Sequence, residues 1–409
     1  MPATNTGSNA FDRFRKPGPP IQSSVERPIG PWAFIGVAVA SFGGPLALAA
    51  LSAPAIVADT GDSAGLAMLA AAVVFTVPLA IWLRYSRHVS SSGGLYAFVE
   101  AAAGRRVALA QASIWIVSYL LYLVYTTVQI VYDLLPNVVP AERNHQPSLA
   151  LLIPLALAGV MIAGRAATLI LLGLIAAGQL VLAGILDGVT IANVSTPASS
   201  FAARAPQGSL AKASVETSLL YICGSLPLFL GGELARPART IRRGLSGAYL
   251  LTAGVVILAV APLAAAPGLL NTEVPGVSVA QQFAGPGLAE AIGIGVAVSI
   301  AGVMLCEYLA LTRLVHFIGP WRMRPIAVAI GAVVVLAAPL SLIDPQGFYN
   351  ALLKPSLIAL WLSQLIVFAV YPLFAKRHRH RALPAWTLSL VASALAIYGL
   401  WTTLQHAST

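Results

Sequence analysis

Long apolar blocks alternate with short polar clusters along the whole chain. Runs that are poor in charge and long enough to cross hydrocarbon, which takes about 20 apolar residues, fall at 31–57, 63–84, 107–133, 148–164, 166–188, 216–235, 244–267, 288–312, 325–343, 349–374 and 383–404. The pattern predicts an all-α polytopic membrane protein of about eleven spans, 148–164 being the weakest by length. Residues 1–27 are polar and predict a disordered tail. The uncharged run from Pro28 to Ala58 is too long for the apolar core of a signal peptide and reads as an uncleaved first span.

Two of these spans are interrupted. The first carries Ser41-Phe42-Gly43-Gly44-Pro45 near its centre, and the sixth carries Gly224-Ser225-Leu226-Pro227. Proline lacks the N–H that a helix needs and its ring clashes with the preceding turn. Glycine lowers the cost of irregular backbone. Opened backbone at membrane depth survives only where protein or a wet cavity covers it. One such interruption reads equally as a kink without function; two of them predict a binding site between broken helices. The half-helix that starts at a break offers N–H groups suited to a carboxylate, and the one that ends there offers carbonyls suited to an ammonium group or a cation.

Composition sharpens the class. The chain is 58% hydrophobic and 9% charged, against roughly a quarter charged in soluble proteins. The net charge of +10 does not signal nucleic acid, because the cations sit at span ends. With the N-terminus inside, the cytoplasmic segments hold Arg13, Arg15, Lys16 and Arg27, then Arg84, Arg87, Arg105 and Arg106, then Arg165, then Arg236, Arg239, Arg242 and Arg243. Further along come Arg313, Arg322 and Arg324, then Lys376, Arg377, Arg379 and Arg381, which makes 20 of the 24 lysines and arginines. The positive-inside rule therefore predicts a cytoplasmic N-terminus and an external C-terminus in the cytoplasmic membrane. The amphipathic stretch from Tyr85 to Arg106 is expected to lie on the cytoplasmic face or as a short re-entrant helix. Cys223 and Cys306 lie inside apolar runs and imply neither a disulfide framework nor a metal site. No phosphate-binding loop and no nucleophile–base pair is present, so the chain is not read as an enzyme.

The run S-S-G-G-L-Y-A-F-V-E-A-A-A-G after the second span resembles the corresponding loop of the amino acid-polyamine-organocation superfamily of permeases. The segment G-G-E-L-A-R-P-A-R-T-I-R-R after the sixth span is similar to that family's E-x-x-x-P-x-R-x-I-P-R segment. The resemblance spans about 30–375. It implies a LeuT-like core of two five-helix repeats with inverted topology, with helices 1 and 6 discontinuous. The expected organisation is a tail at 1–27, a first repeat at 28–188, an external loop at 189–215 and a second repeat at 216–375. A basic loop with one extra helix then occupies 376–409.

It also implies residues. Ser41, Phe42, Gly43 and Gly44 at the first break and Cys223, Gly224 and Ser225 at the second align with substrate-facing positions. Pro45 removes a donor from the usual carboxylate site, for which the Ser41 hydroxyl is a substitute, and Leu226 replaces the family's glutamate, which argues against a strongly cationic substrate. Phe42 is a lid or simply packing; Tyr119 and Tyr122 supply hydroxyls or fill a helix interface. Gln179 stands where many relatives carry a titratable group. Ser299 stands where sodium-coupled relatives place a hydroxyl. Glu307 is a carboxylate inside a span that must be paired, protonated or wet, and is either a proton switch or a structural hydrogen bond. The function expected is secondary active transport of a small amino acid or related amine by alternating access, with no cofactor and with H+ or Na+ as possible coupling ions. The alternative is a transport-silent relative acting as a receptor or partner subunit.

Overall fold

The computed structural model describes residues 28–138, 144–195, 198–270, 272, 274–379 and 382–405. The tail at 1–27 and the terminal 406–409 lie outside them. Eleven helices among the described residues are long and apolar enough to cross a membrane. In chain order the α-helical elements are α1 (Pro31–Ser41), α2 (Pro45–Leu51), α3 (Ala53–Thr60), α4 (Ala64–Tyr85), α5 (Leu95–Ala103) and α6 (Arg105–Val128). Then follow α7 (Leu135–Val138), α8 (Gln146–Ala163), α9 (Arg165–Asn193), α10 (Gln207–Leu219), α11 (Pro237–Leu263) and α12 (Pro275–Ala284). The chain continues with α13 (Pro286–Ile318), α14 (Met323–Ala337), α15 (Pro345–Ala369), α16 (Tyr371–Arg377) and α17 (Ala382–Gln405).

The two interrupted spans lie at the centre. In Pro31–Leu51 and in Gln207–Glu233, 78% of the apolar stretch is buried, against 22% in Gln146–Ala163 at the periphery. That placement follows from the chemistry of the backbone: freed N–H and C=O groups cannot face lipid, so whole helices must surround them. α9, α11 and α13 pack against α1 and α2, and α11 and α13 also pack against the continuation of α10.

The first break falls where the sequence predicts it. The second does not. α10 ends at Leu219, and from Ile222 to Glu233 the chain runs as a continuous 3₁₀ helix of 12 residues that contains Pro227. Such helices rarely exceed 3–4 residues. The interruption is therefore at Leu220–Tyr221, and Gly224-Ser225-Leu226-Pro227 lies within the 3₁₀ helix rather than marking an unwound gap.

Three further differences concern packing. Of the two placements expected for the Tyr85–Arg106 stretch, a helix lying on the surface does not fit, and a short packed helix, α5, does. That helix buries Leu95, Tyr96, Phe98 and Val99 against α6, α15 and α16, and Tyr85 stacks on Phe98 with ring centroids 4.8 Å apart. The stretch expected as the external loop 189–215 holds the end of α9 and the first turns of α10. And α12, which no apolar run announces, buries Val279 and Ala280 and seats Gly276 on Ala50 at the end of α2.

Candidate functional site

The first break is a tight local structure. The Ser41 carbonyl accepts the Gly43 N–H at 2.8 Å, and Phe42 between them has φ −76° and ψ 48°, the geometry of an inverse γ-turn. Gly43 and Gly44 follow with φ of 75° and 72°, a region open to glycine at no steric cost. Pro45 then opens α2, where its missing N–H is no loss. The Ser41 hydroxyl turns back to the Ala38 carbonyl, 2.9 Å away.

The two broken spans touch at Phe42 and Gly224. A methyl group on Gly224 would stand inside the Phe42 ring. Phe42 is fully buried and joins Phe75 and Tyr249, with centroids at 6.3 Å and 5.5 Å. Its ring is packing between the two breaks and does not line the cavity described next.

A cavity of about 440 Å³ runs from Asp59 and Glu216 at its mouth down to Gly43, Tyr122 and Cys223. Leu48, Leu220, Ile300 and Val303 make its walls apolar, and no lysine or arginine lines it. Of the nine substrate residues expected from the sequence, Gly43, Tyr122 and Cys223 line this space; Ser41, Phe42, Gly44, Tyr119, Gly224 and Ser225 do not. Sequence reasoning missed Asp59, Glu216 and Gln129. Gln129 opens a stretch of π-helix, Gln129–Leu134, that continues α6, a feature frequent at functional sites. Nothing in its apolar surroundings announces that turn.

Glu307 lies one helical turn below Val303 on α13, fully buried. The Cys223 thiol donates to its Oε1 at 3.9 Å, and its Oε2 has no hydrogen-bond partner. Tyr119 adjoins the same thiol and continues an aromatic row along α6: Trp115 and Tyr119 at 4.1 Å, Tyr119 and Tyr122 at 6.1 Å, Tyr122 and Tyr125 at 4.9 Å. A carboxyl group thus sits behind the floor of the cavity, beside the Cys223 thiol and near the tyrosines of α6. The arginine nearest it in sequence, Arg313, is committed elsewhere.

At the other side of the first break, Ser299 on α13 donates its hydroxyl to Gln179 Oε1 on α9. A methyl group on Gly44 would press on the Ser299 hydroxyl and come within 3.3 Å of the Ser299 carbonyl and 3.4 Å of Gln179 Oε1. Three oxygens therefore converge on Gly44. Ser299 and Gln179 meet here, while Glu307 belongs to the cavity floor.

The opposite end of the core is closed. Glu233, at the end of the 3₁₀ helix, receives Arg313 Nε at 2.5 Å and Nη2 at 3.2 Å, and Arg165 Nη1 at 3.2 Å. The Ile29 N–H, just before α1, donates to the Glu233 carbonyl at 2.9 Å. The two motifs that carry the family resemblance meet at this end. A methyl group on Gly231 would lie 3.1 Å from the Ser91 nitrogen, and one on Gly232 would lie 2.8 Å from the Ser92 hydroxyl.

No protein-family model matches the chain, and a search of curated proteins finds no match. Among solved structures, a Na+-coupled sialic acid symporter in a substrate-bound, outward-open state is similar. The TM-score is 0.60 at 12% sequence identity, over 92% of this chain and 90% of that one. At that identity the likeness is one of fold, and the fold is the LeuT-like one, an all-α membrane architecture with discontinuous helices 1 and 6.

Proposed function

We propose that the chain is a secondary active transporter that carries a small amine, or an amino acid presenting its amine, by alternating access. We read it as a divergent relative of the amino acid-polyamine-organocation permeases, with its basic end in the cytoplasm. The observation that carries this reading is the pairing of one open and one closed end. A cavity reaches the two breaks from the Asp59–Glu216 side, while Glu233, Arg165 and Arg313 lock the other side. The reading is supported by the fold shared with the symporter, since transporters with discontinuous helices bind substrate at those breaks.

The residues suggest how a substrate is held. At the cavity mouth Lys212 pairs with Asp59 at 3.2 Å and the Tyr398 hydroxyl donates to Glu216, which leaves Glu216 and the acid behind the floor to favour a cation. In this reading the ammonium group of the substrate displaces the Cys223 contact and pairs with Glu307, with Tyr119 and Tyr122 offering their faces. Glu307 then takes the part of the carboxylate that the sixth span lacks, and a cationic substrate, disfavoured by Leu226 alone, becomes the preferred one. A carboxylate finds less: the Gly43 N–H is already bonded to Ser41, and Pro45 has none. The three oxygens at Gly44 form the all-oxygen donor set that a hard cation takes, so Na+ is the coupling ion assigned to Ser299 and Gln179.

Uptake into proteoliposomes tests this, using a panel of radiolabelled amines and amino acids under an inward Na+ gradient and, separately, a pH gradient. Accumulation of an amine above protein-free liposomes is expected under the Na+ gradient. No accumulation of any panel member under either gradient overturns the reading.

A further inference from the structure

A second cavity, also of about 440 Å³, lies at the closed end of the bundle between the first turn of α1 and the start of α11. Arg236, Arg239 and Arg243 line one side. Arg239 and Arg243, four residues apart, share one face of α11, and Arg236 stands at the cap before its first turn. Ile29, Pro31 and Ile35 line the other side.

The three cations are unbalanced. Among the described residues none of them forms a salt bridge, and the carboxylate nearest in sequence, Glu233, is already held by Arg313 and Arg165. The start of α11, with Pro237 at its first position, adds the positive end of a helix dipole to the same spot. All three arginines are exposed to solvent, and an anion placed among them would pair with all three at once. The apolar wall says which kind. A soluble anion would engage the guanidinium groups alone, whereas a phospholipid also lays acyl chain along the half-buried Ile35, beside the buried Ile29. Trp32, 82% exposed on the adjoining turn of α1, is the aromatic residue expected at headgroup depth.

We propose that this cavity binds an anionic phospholipid, its phosphate among Arg236, Arg239 and Arg243 and the start of an acyl chain along Ile35. The site straddles the joint at which the Ile29 N–H meets the Glu233 carbonyl. A lipid seated there braces α1 against α11 and holds the closed end shut. This inference is independent of what the transporter carries.

The test uses the full chain in nanodiscs of phosphatidylcholine with or without phosphatidylglycerol, reading lipid retained by native mass spectrometry and the thermal midpoint. Phosphatidylglycerol should be retained and should raise the midpoint. Retention should weaken about fivefold for each arginine replaced by glutamine, in Arg239→Gln alone and in the triple variant of Arg236, Arg239 and Arg243. The double variant Arg322→Gln/Arg324→Gln, equally basic residues without such a cavity, should retain lipid as the wild type does. Equal loss in both sets would reduce the effect to general surface attraction and overturn the site. An equal rise in midpoint from inorganic phosphate in detergent would assign the cavity to a soluble anion instead. Should the triple variant fold poorly, Arg239→Gln and Ile35→Asn, each removing one half of the site, decide the matter.

Discussion

Arg313 on α13 and Glu233 at the end of the 3₁₀ helix are 80 residues apart in sequence, and their charged groups approach to 2.5 Å. The arginine is 3% exposed. Removing one partner of a buried pair costs about 3–5 kcal/mol, because the other charge is left without compensation. Glu233→Ala should therefore lower the thermal midpoint and open the closed end, so that Cys223 reacts with an impermeant thiol reagent applied from that side. A variant with wild-type stability and an unreactive Cys223 would show that the pair is not a latch.

The contact between Phe42 and Gly224 leaves no room for a side chain. Gly224→Ala should cost about 1–3 kcal/mol of packing strain and should lower substrate affinity while leaving folded protein. Adding Phe42→Ala should restore part of the loss, since the two positions share one space. Independent effects in the double variant would mean that the breaks are not coupled through this contact.

Glu307→Gln keeps the size of the side chain behind the cavity floor and removes the carboxyl that would pair with an ammonium group. Losing the partner of a desolvated charge costs about 2–5 kcal/mol, so uptake of a cationic amine should fall at least about 30-fold. Glu307→Asp should keep part of it. Unchanged KM and kcat for an amine in Glu307→Gln would leave this carboxyl a structural role only.

Ser299→Ala removes one of the three oxygens at Gly44 and the hydrogen bond to Gln179. The stimulation of uptake by Na+ should shift to higher Na+ concentration, about tenfold, with the substrate KM at saturating Na+ little changed. A Na+ dependence identical to the wild type would move the coupling ion elsewhere.

The distribution of lysines and arginines makes the orientation testable on intact cells. His406→Cys should be labelled by an impermeant reagent from outside. Labelling only after permeabilisation would reverse the orientation or remove one span from the count.

Span number was legible because eleven charge-poor runs are a one-dimensional signal, and so was the first break, where Gly43, Gly44 and Pro45 admit little else. The second break was misplaced by a few residues. Pro227 forbids an α-helical bond but is tolerated inside a 3₁₀ helix, and no local pattern distinguishes the two outcomes. Glu307 was identified as unusual, yet its place behind Cys223 depends on the rotation of α13 against the 3₁₀ helix, which tertiary packing sets. Glu233 was noticed at the end of an apolar run, but its partners come from α9 and α13, and pairings across such separations leave no trace in a single sequence. Asp59 and Glu216 lie 157 residues apart at span ends, and only the fold brings them to one mouth.

The 3₁₀ helix also stores travel. It rises about 2.0 Å per residue, and an α-helix about 1.5 Å. Pro227 fits the first position of an α-helix, so an α-helical Pro227–Glu233 is open to the backbone once Gly231 and Gly232 part from Ser91 and Ser92. Recoiling those seven residues shortens the segment by about 3.5 Å, more than the gap between Glu233 and any of its arginines. An axial contraction of one segment, with no tilting of its neighbours, is enough to draw the carboxylate off both cations.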